Sequence, residues 1–358
     1  MPDPMGPGIV DWSLASRLGR RLAGDGESAL DPAVAAATAR DALARALAYT
    51  TLKPRDPVPE MEVVSRDEWI DSNLAELCLL MTPAEERVAG DLDLPGPLGS
   101  VVRKALGAAA GAEAGTVVGY ASKRVLGQYQ VSLRPQPGEP RMLLVGANLS
   151  EVAEKLQVDR EAFLSWVLVH EQTHSIQFGS VPWLRDYLAG LVQQLLEAAS
   201  RGMDIRAIVT RAKDLVASDP RAGLRRVLNG ELMRIFASAE QGEVMDRLAA
   251  VMAVVEGYAE HVMDAASAGE PELEVMRERM DARRAQRTGL ADMIARILGL
   301  GAKLRQYELG KRWCDAVVEE AGIEGLDRVW DGPEFLPSPA ELEDADVWME
   351  RVSAPAAA

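Results

Sequence analysis

The chain has 358 residues, 48% of them apolar and 5% aromatic, with a formal net charge of −16. That is enough apolar chain to bury a sizeable core. The acidic balance argues against partners that present phosphate, whether nucleic acid or an anionic membrane surface.

Taken in chain order, the first residues, MPDPMGPGIVDW, lack the basic and apolar regions of a secretory signal. Residues 1–11 read as a flexible tail, and the protein as cytoplasmic. Asp31-Pro32 opens an Ala-rich helix to about Tyr49, with a cap and an N1 proline in their preferred places. Ser65 to Glu68 reads as a capping box, and Thr82 to Glu85 as another. The stretch Ala105 to Ser122 is apolar but built of Gly and Ala around Glu113, which suits a close-packed core helix better than a membrane span. Gln128 to Leu133 alternates, Arg141 to Val145 is an apolar run, and RPQPGEP between them has turn chemistry, so a β-hairpin is expected here. Ser150 and Asp159 read as N-caps of the next two helices, and Pro182-Trp183 starts a Leu-rich one. Helical patterns continue to about Ala321, with breaks near Gly202, Gly269-Glu270-Pro271 and Gly299-Leu300-Gly301. Asp219-Pro220 and Ser338-Pro339-Ala340-Glu341 repeat the start signal. The basic run Arg277 to Arg287 reads as a solvated helix face, and residues 353–358 as a disordered tail. Cys78 and Cys314 form no CxxC pattern and read as small buried hydrophobes of a reducing compartment.

The chemistry concentrates in Val167 to Ile176, VLVHEQTHSI. The chain has three histidines, and two of them, His170 and His174, stand four apart here. On a helix that spacing puts both imidazoles on one face, where they can share one tetrahedral zinc ion. Glu171 points about 100° around from His170, beside a metal rather than on it, where it can take a proton from activated water. Apolar and uncharged flanks suit a rigid, buried ligand helix.

A catalytic zinc ion needs a third protein ligand. The best source is VVEGYAEHVMD, where Glu256, Glu260 and His261 can each coordinate. Here VEGYAEH resembles the NEGFAEY segment of gluzincin aminopeptidases. That resemblance implies Glu256 as ligand and Glu260 as a carboxylate supporting a ligand histidine, with Gly257 allowing close backbone approach. A rival alignment with the ExxxD of thermolysin-like enzymes makes Glu260 the ligand, and His261 is the remaining alternative.

The whole succession, HEQTH, IQFGSVPWLRDYL, VEGYAEHVMD, KLRQYELGKRWCDAVVEEAG and VWDGPEFLPSPAELEDADVWMERV, resembles a bacterial family of zincin-like metallohydrolases. One branch of that family is associated with biosynthesis of the deazaflavin coenzyme F-420. The resemblance implies a mainly α zincin-like fold, with a small β-hairpin or sheet next to the HExxH helix and a large helical bundle. It covers residues 12–352 as one domain, a helical part of about 12–125 and a catalytic part of about 126–352. It implies one zinc ion per chain and a peptide or small amide substrate; a non-catalytic binding or scaffold protein and a small-metabolite amidohydrolase are the alternatives. Tyr307 and Tyr258 are candidates to stabilise an oxyanion. Arg305 and Lys311 can meet a substrate carboxylate or simply face solvent, and Trp183 and Trp313 read as core. No glycine-rich phosphate loop is present.

Overall fold

The computed structural model describes residues 9–24, 26, 28, 30–91, 97–134, 138–202, 239–270, 273–284 and 307–353. In chain order these form α1 (Trp12–Ala23), α2 (Pro32–Tyr49), β1 (Met61–Val64), α3 (Arg66–Asp91), α4 (Pro97–Ser122), β2 (Gly127–Gln130), β3 (Arg141–Val145), α5 (Gly146–Leu156), α6 (Arg160–Ser180), α7 (Leu184–Gly202) and α8 (Ala239–Ala266). Then come α9 (Leu273–Arg284), α10 (Tyr307–Asp327), two 3-10 turns, α11 (Pro339–Glu343) and α12 (Ala345–Ser353). The architecture is mainly α with one small sheet, as expected.

Local signals set several helix starts. Asp31 caps α2 by accepting from the Ala33 N–H, with Pro32 at N1. Asp159 caps α6 by accepting from the N–H groups of Glu161 and Ala162. Ser65 and Glu68 form the expected capping box: the Ser65 N–H donates to Glu68 Oε2 at 2.7 Å and the Glu68 N–H to Ser65 Oγ at 3.1 Å. Ser338 and Glu341 do the same for α11.

Two expected starts are corrected. Thr82-Pro83 does not open a helix: α3 runs through it, and the Thr82 hydroxyl donates back to the Cys78 carbonyl instead of capping. Ser150 lies inside α5, which starts directly off β3 with Val145 at its cap and no side-chain bond.

The three strands are ordered β1-β3-β2. The hairpin of β2 and β3 is antiparallel, pairing Gly127 with Leu144 and Gln130 with Arg141. The first strand is shorter than expected and ends at Gln130. A third strand, β1, joins β3 in parallel, pairing Met61 with Met142. β3 is central and buried on both faces, which is why RMLLV reads as a continuous apolar run. Leu144 faces the larger core with α2, α6, α7, α8 and α10, whereas Leu143 and Val145 face a smaller core with α1, α3 and α4.

In that smaller core α4 lies against α1 along a row of glycines. A Cβ at Gly115 would sit 2.8 Å from the Ala15 Cα, and one at Gly119 would sit 2.8 Å from the Gly19 Cα. Only glycine permits this backbone approach. The small-residue stretch is thus a packed helix, and no helix among the described residues is long and apolar enough to cross a membrane.

Other expectations divide. α8 ends where predicted, at a turn whose Gly269 has φ +93°. In the described part of the basic run, Arg277 pairs with Asp264 at 2.7 Å and Arg279 donates to the Gln157 carbonyl at 2.9 Å, so these two side chains are less solvated than expected, while residues 285–287 lie outside the described residues. Trp313 is core, and Trp183 packs against the core with its Nε1–H donating to the Trp330 carbonyl. The Asp219-Pro220 start, the Gly299-Leu300-Gly301 break, Arg305 and most of both tails lie outside the described residues.

Candidate metal centre

Two helices build the centre. α6 carries His170, Glu171 and His174 deep in the larger core, and α8 packs along it and carries Glu256. The ligand-type atoms of His170, His174 and Glu256 all lie within 4.8 Å of one another. His170 Nε2 and His174 Nε2 are 3.1 Å apart, and Glu256 Oε2 is 3.6 Å from the first and 3.8 Å from the second. Donors at 2.0–2.1 Å from a tetrahedral zinc ion stand about 3.3 Å from one another. The spacing and the two-imidazole, one-carboxylate donor set therefore fit zinc. The side chains keep 15%, 11% and 28% of their surface for His170, His174 and Glu256, so the cluster is not sealed in the core.

The Glu171 carboxylate, close enough to Glu256 to feel its charge, also meets the sheet, where its Oε2 accepts from the Tyr129 N–H at 3.2 Å. Burial pushes its carboxyl up to about 8, the nearby Glu256 adds to this, and the Tyr129 N–H opposes it. A dication held by the three ligands would draw that value back down. β2 makes room for the carboxylate with a glycine: a Cβ at Gly127 would lie 2.6 Å from Glu171 Cγ and 2.9 Å from its Oε1. Next to it, the Tyr129 ring stacks on Phe178, one helical turn after His174.

The other candidates fall elsewhere. Glu260 stands one turn beyond Glu256 on α8 and is not in the cluster of three. His261 is buried between α2 and α10: its Nδ1 is 2.7 Å from Asp315 Oδ1 and its Nε2 is 2.7 Å from the Tyr49 hydroxyl. It is not among the three residues whose ligand-type atoms converge. Tyr258 is fully buried and donates to Asp327 Oδ1 at 2.6 Å, so it does not face the cluster. Lys311 is held by Asp264 at 3.2 Å and Asp315 at 2.7 Å. α10 begins at Tyr307, whose side chain lies outside the described residues. Gly257 does allow a close approach, but to α10: a Cβ there would lie 2.6 Å from the Lys311 nitrogen. An open groove lined by Tyr187, Arg247, Leu336 and Pro339 contains none of the cluster residues.

Gln177 is a residue that motif reading missed. Its side-chain oxygen is 3.0 Å from His174 Nδ1, and its amide nitrogen donates to the Val255 carbonyl at 3.0 Å. The only signal in the sequence is an amide three residues after a ligand histidine, on the same helical face.

A family model for zincin-like metallopeptidases matches residues 10–349. The chain belongs to this family. Among solved structures, this zincin-like protein is similar to a "putative hydrolase with a novel fold" from Chloroflexus aurantiacus, with 27% identity and a TM-score of 0.72 over 97% of this chain and 99% of that one. The comparison with curated proteins returned no match. Membership supports zinc binding and hydrolysis as the class of activity.

Proposed function

We propose that the protein is a zinc-dependent hydrolase of amide bonds, with a peptide or small amide as substrate and one zinc ion per chain. The observation that carries this is the convergence of His170, His174 and Glu256 from two helices to zinc-ligand spacing, with Glu171 beside them. His170 and His174 would hold the ion through Nε2, and Glu256 through a carboxylate oxygen. Zinc held there would supply Lewis acidity for a carbonyl and for water. Glu171 takes the proton from the attacking water and delivers it to the leaving nitrogen. Its burial suits this role, because bulk water is kept from the carboxylate that handles the proton. Edge strand β2 sets the direction of that carboxylate through the Tyr129 N–H.

The test is metal content and turnover on the same samples. Wild type should carry one zinc per chain by mass spectrometry, and His170→Ala and Glu256→Ala should lose it. Glu171→Gln should keep the metal and lose about 10²–10⁴-fold in turnover against a peptide and amide panel. A Glu171→Gln protein that keeps full biological function would instead favour a non-catalytic binding role.

A further inference from the structure

We infer that Gln177 is a positioning residue of the metal centre: it holds His174 in the tautomer that offers Nε2 to a metal, and it ties the two ligand-bearing helices in register. This deepens the zinc-hydrolase reading and rests on it. Gln177 is 0% exposed, and both ends of its amide are engaged. The Val255 carbonyl can only accept, so the atom 3.0 Å from it must be the amide nitrogen. The other amide atom is then the oxygen, which also only accepts. His174 Nδ1 at 3.0 Å must therefore carry the ring proton. The lone pair is left on Nε2, the atom 3.1 Å from His170 Nε2 and 3.8 Å from Glu256 Oε2.

The second half of the inference comes from the donor end. Val255 immediately precedes Glu256, so the same amide that orients a ligand on α6 grips α8 beside the ligand it contributes. A carboxylate, the commoner partner of a ligand histidine, accepts but cannot donate across to the second helix. It would also add negative charge near Glu256, whose Oε2 already stands 3.8 Å from His174 Nε2. A neutral amide does both tasks without that charge.

Two variants and one spectrum test this. Gln177→Met keeps length and apolar bulk but neither accepts nor donates usefully. Gln177→Glu keeps an acceptor for His174 Nδ1–H. Zinc affinity, measured by competition with a chromophoric chelator on samples shown to be folded by circular dichroism, should fall about 10–100-fold in Gln177→Met. Gln177→Glu should bind about tenfold tighter than Gln177→Met. A Met variant within about threefold of wild type, or two variants weakened alike, overturns the inference.

Should Gln177→Met fail to fold, nitrogen-15 spectra of wild type decide the matter. The chain has three histidines, so only three rings need assignment. His174 should be protonated at Nδ1 in neutral, chelator-treated protein; protonation at Nε2 overturns the inference. A wild type that takes up no zinc would sink the hydrolase reading, while the His174 tautomer would still decide the role of Gln177.

Discussion

Among single residues, Gly127 and Glu171 show how the direction of a side chain depends on a neighbour remote in sequence. The HExxH spacing places Glu171 on α6, but its direction is set by a strand that leaves it space and offers it one N–H. A methyl group at Gly127 would overlap the Glu171 side chain, at 2.6 Å from Cγ. Gly127→Ala should therefore lower turnover by about 10–10²-fold, since misplacement of a reacting group by about 1 Å costs on that order. Zinc per chain should stay at the wild-type value, because the atoms nearest a Cβ at Gly127 all belong to Glu171. Loss of zinc in that variant would mean that β2 supports the cluster and not the base. Neither Gly127 nor Gln177 is visible as a site residue in the sequence, since each acts through a contact made by folding. His170, Glu171 and His174 are visible because one helical turn holds all three.

For the helices and strands, legibility follows the range of the interaction that specifies each. Asp31, Ser65, Asp159 and Ser338 bond backbone groups two or three residues away, and the helices start where those bonds predict. Thr82-Pro83 carries the same letters, yet α3 continues through it, because the Thr82 hydroxyl finds the carbonyl one turn back. β1 escaped notice because four residues, MEVV, carry little periodic signal and are extended only by pairing with β3. The glycine row of α4 is legible as small-residue packing, though its partner α1 is not. Gly115→Val should destabilise the protein by about 1–3 kcal/mol in urea unfolding, the usual cost of overpacking. The added carbons meet the Ala15 backbone. Metal content should be unchanged, since α1 and α4 carry none of the ligands, and an unaltered midpoint would show that the two helices separate freely.

At the scale of the molecule, the cluster of His170, His174 and Glu256 links helices far apart in the chain. An ion that binds the folded protein alone stabilises it by about 2.7 kcal/mol at a hundredfold excess over its dissociation constant. Chelation should lower the melting temperature of wild type and leave that of His170→Ala unmoved. An equal shift in both would place the stabilising metal elsewhere. The tie between α6 and α8 is backed by polar contacts around it: Tyr49 with His261, and Tyr258 with Asp327, join α2, α8 and α10 beyond the cluster. At the second helix interface, Gly257 brings α8 against α10 one residue after Glu256. The sequence by itself determined the helical class, the hairpin and the histidine pair with its glutamate, because each depends on groups within one turn or one alternation of the chain. Its residues alone left Glu256, Glu260 and His261 open, since all three lie within six residues on one helix, and the gluzincin resemblance favoured Glu256. Only the tertiary structure decided among their positions: the rotation and register of α8 against α6 bring Glu256 to the histidines and carry His261 to Asp315. That rotation is set by packing between segments distant in sequence, which no local pattern encodes.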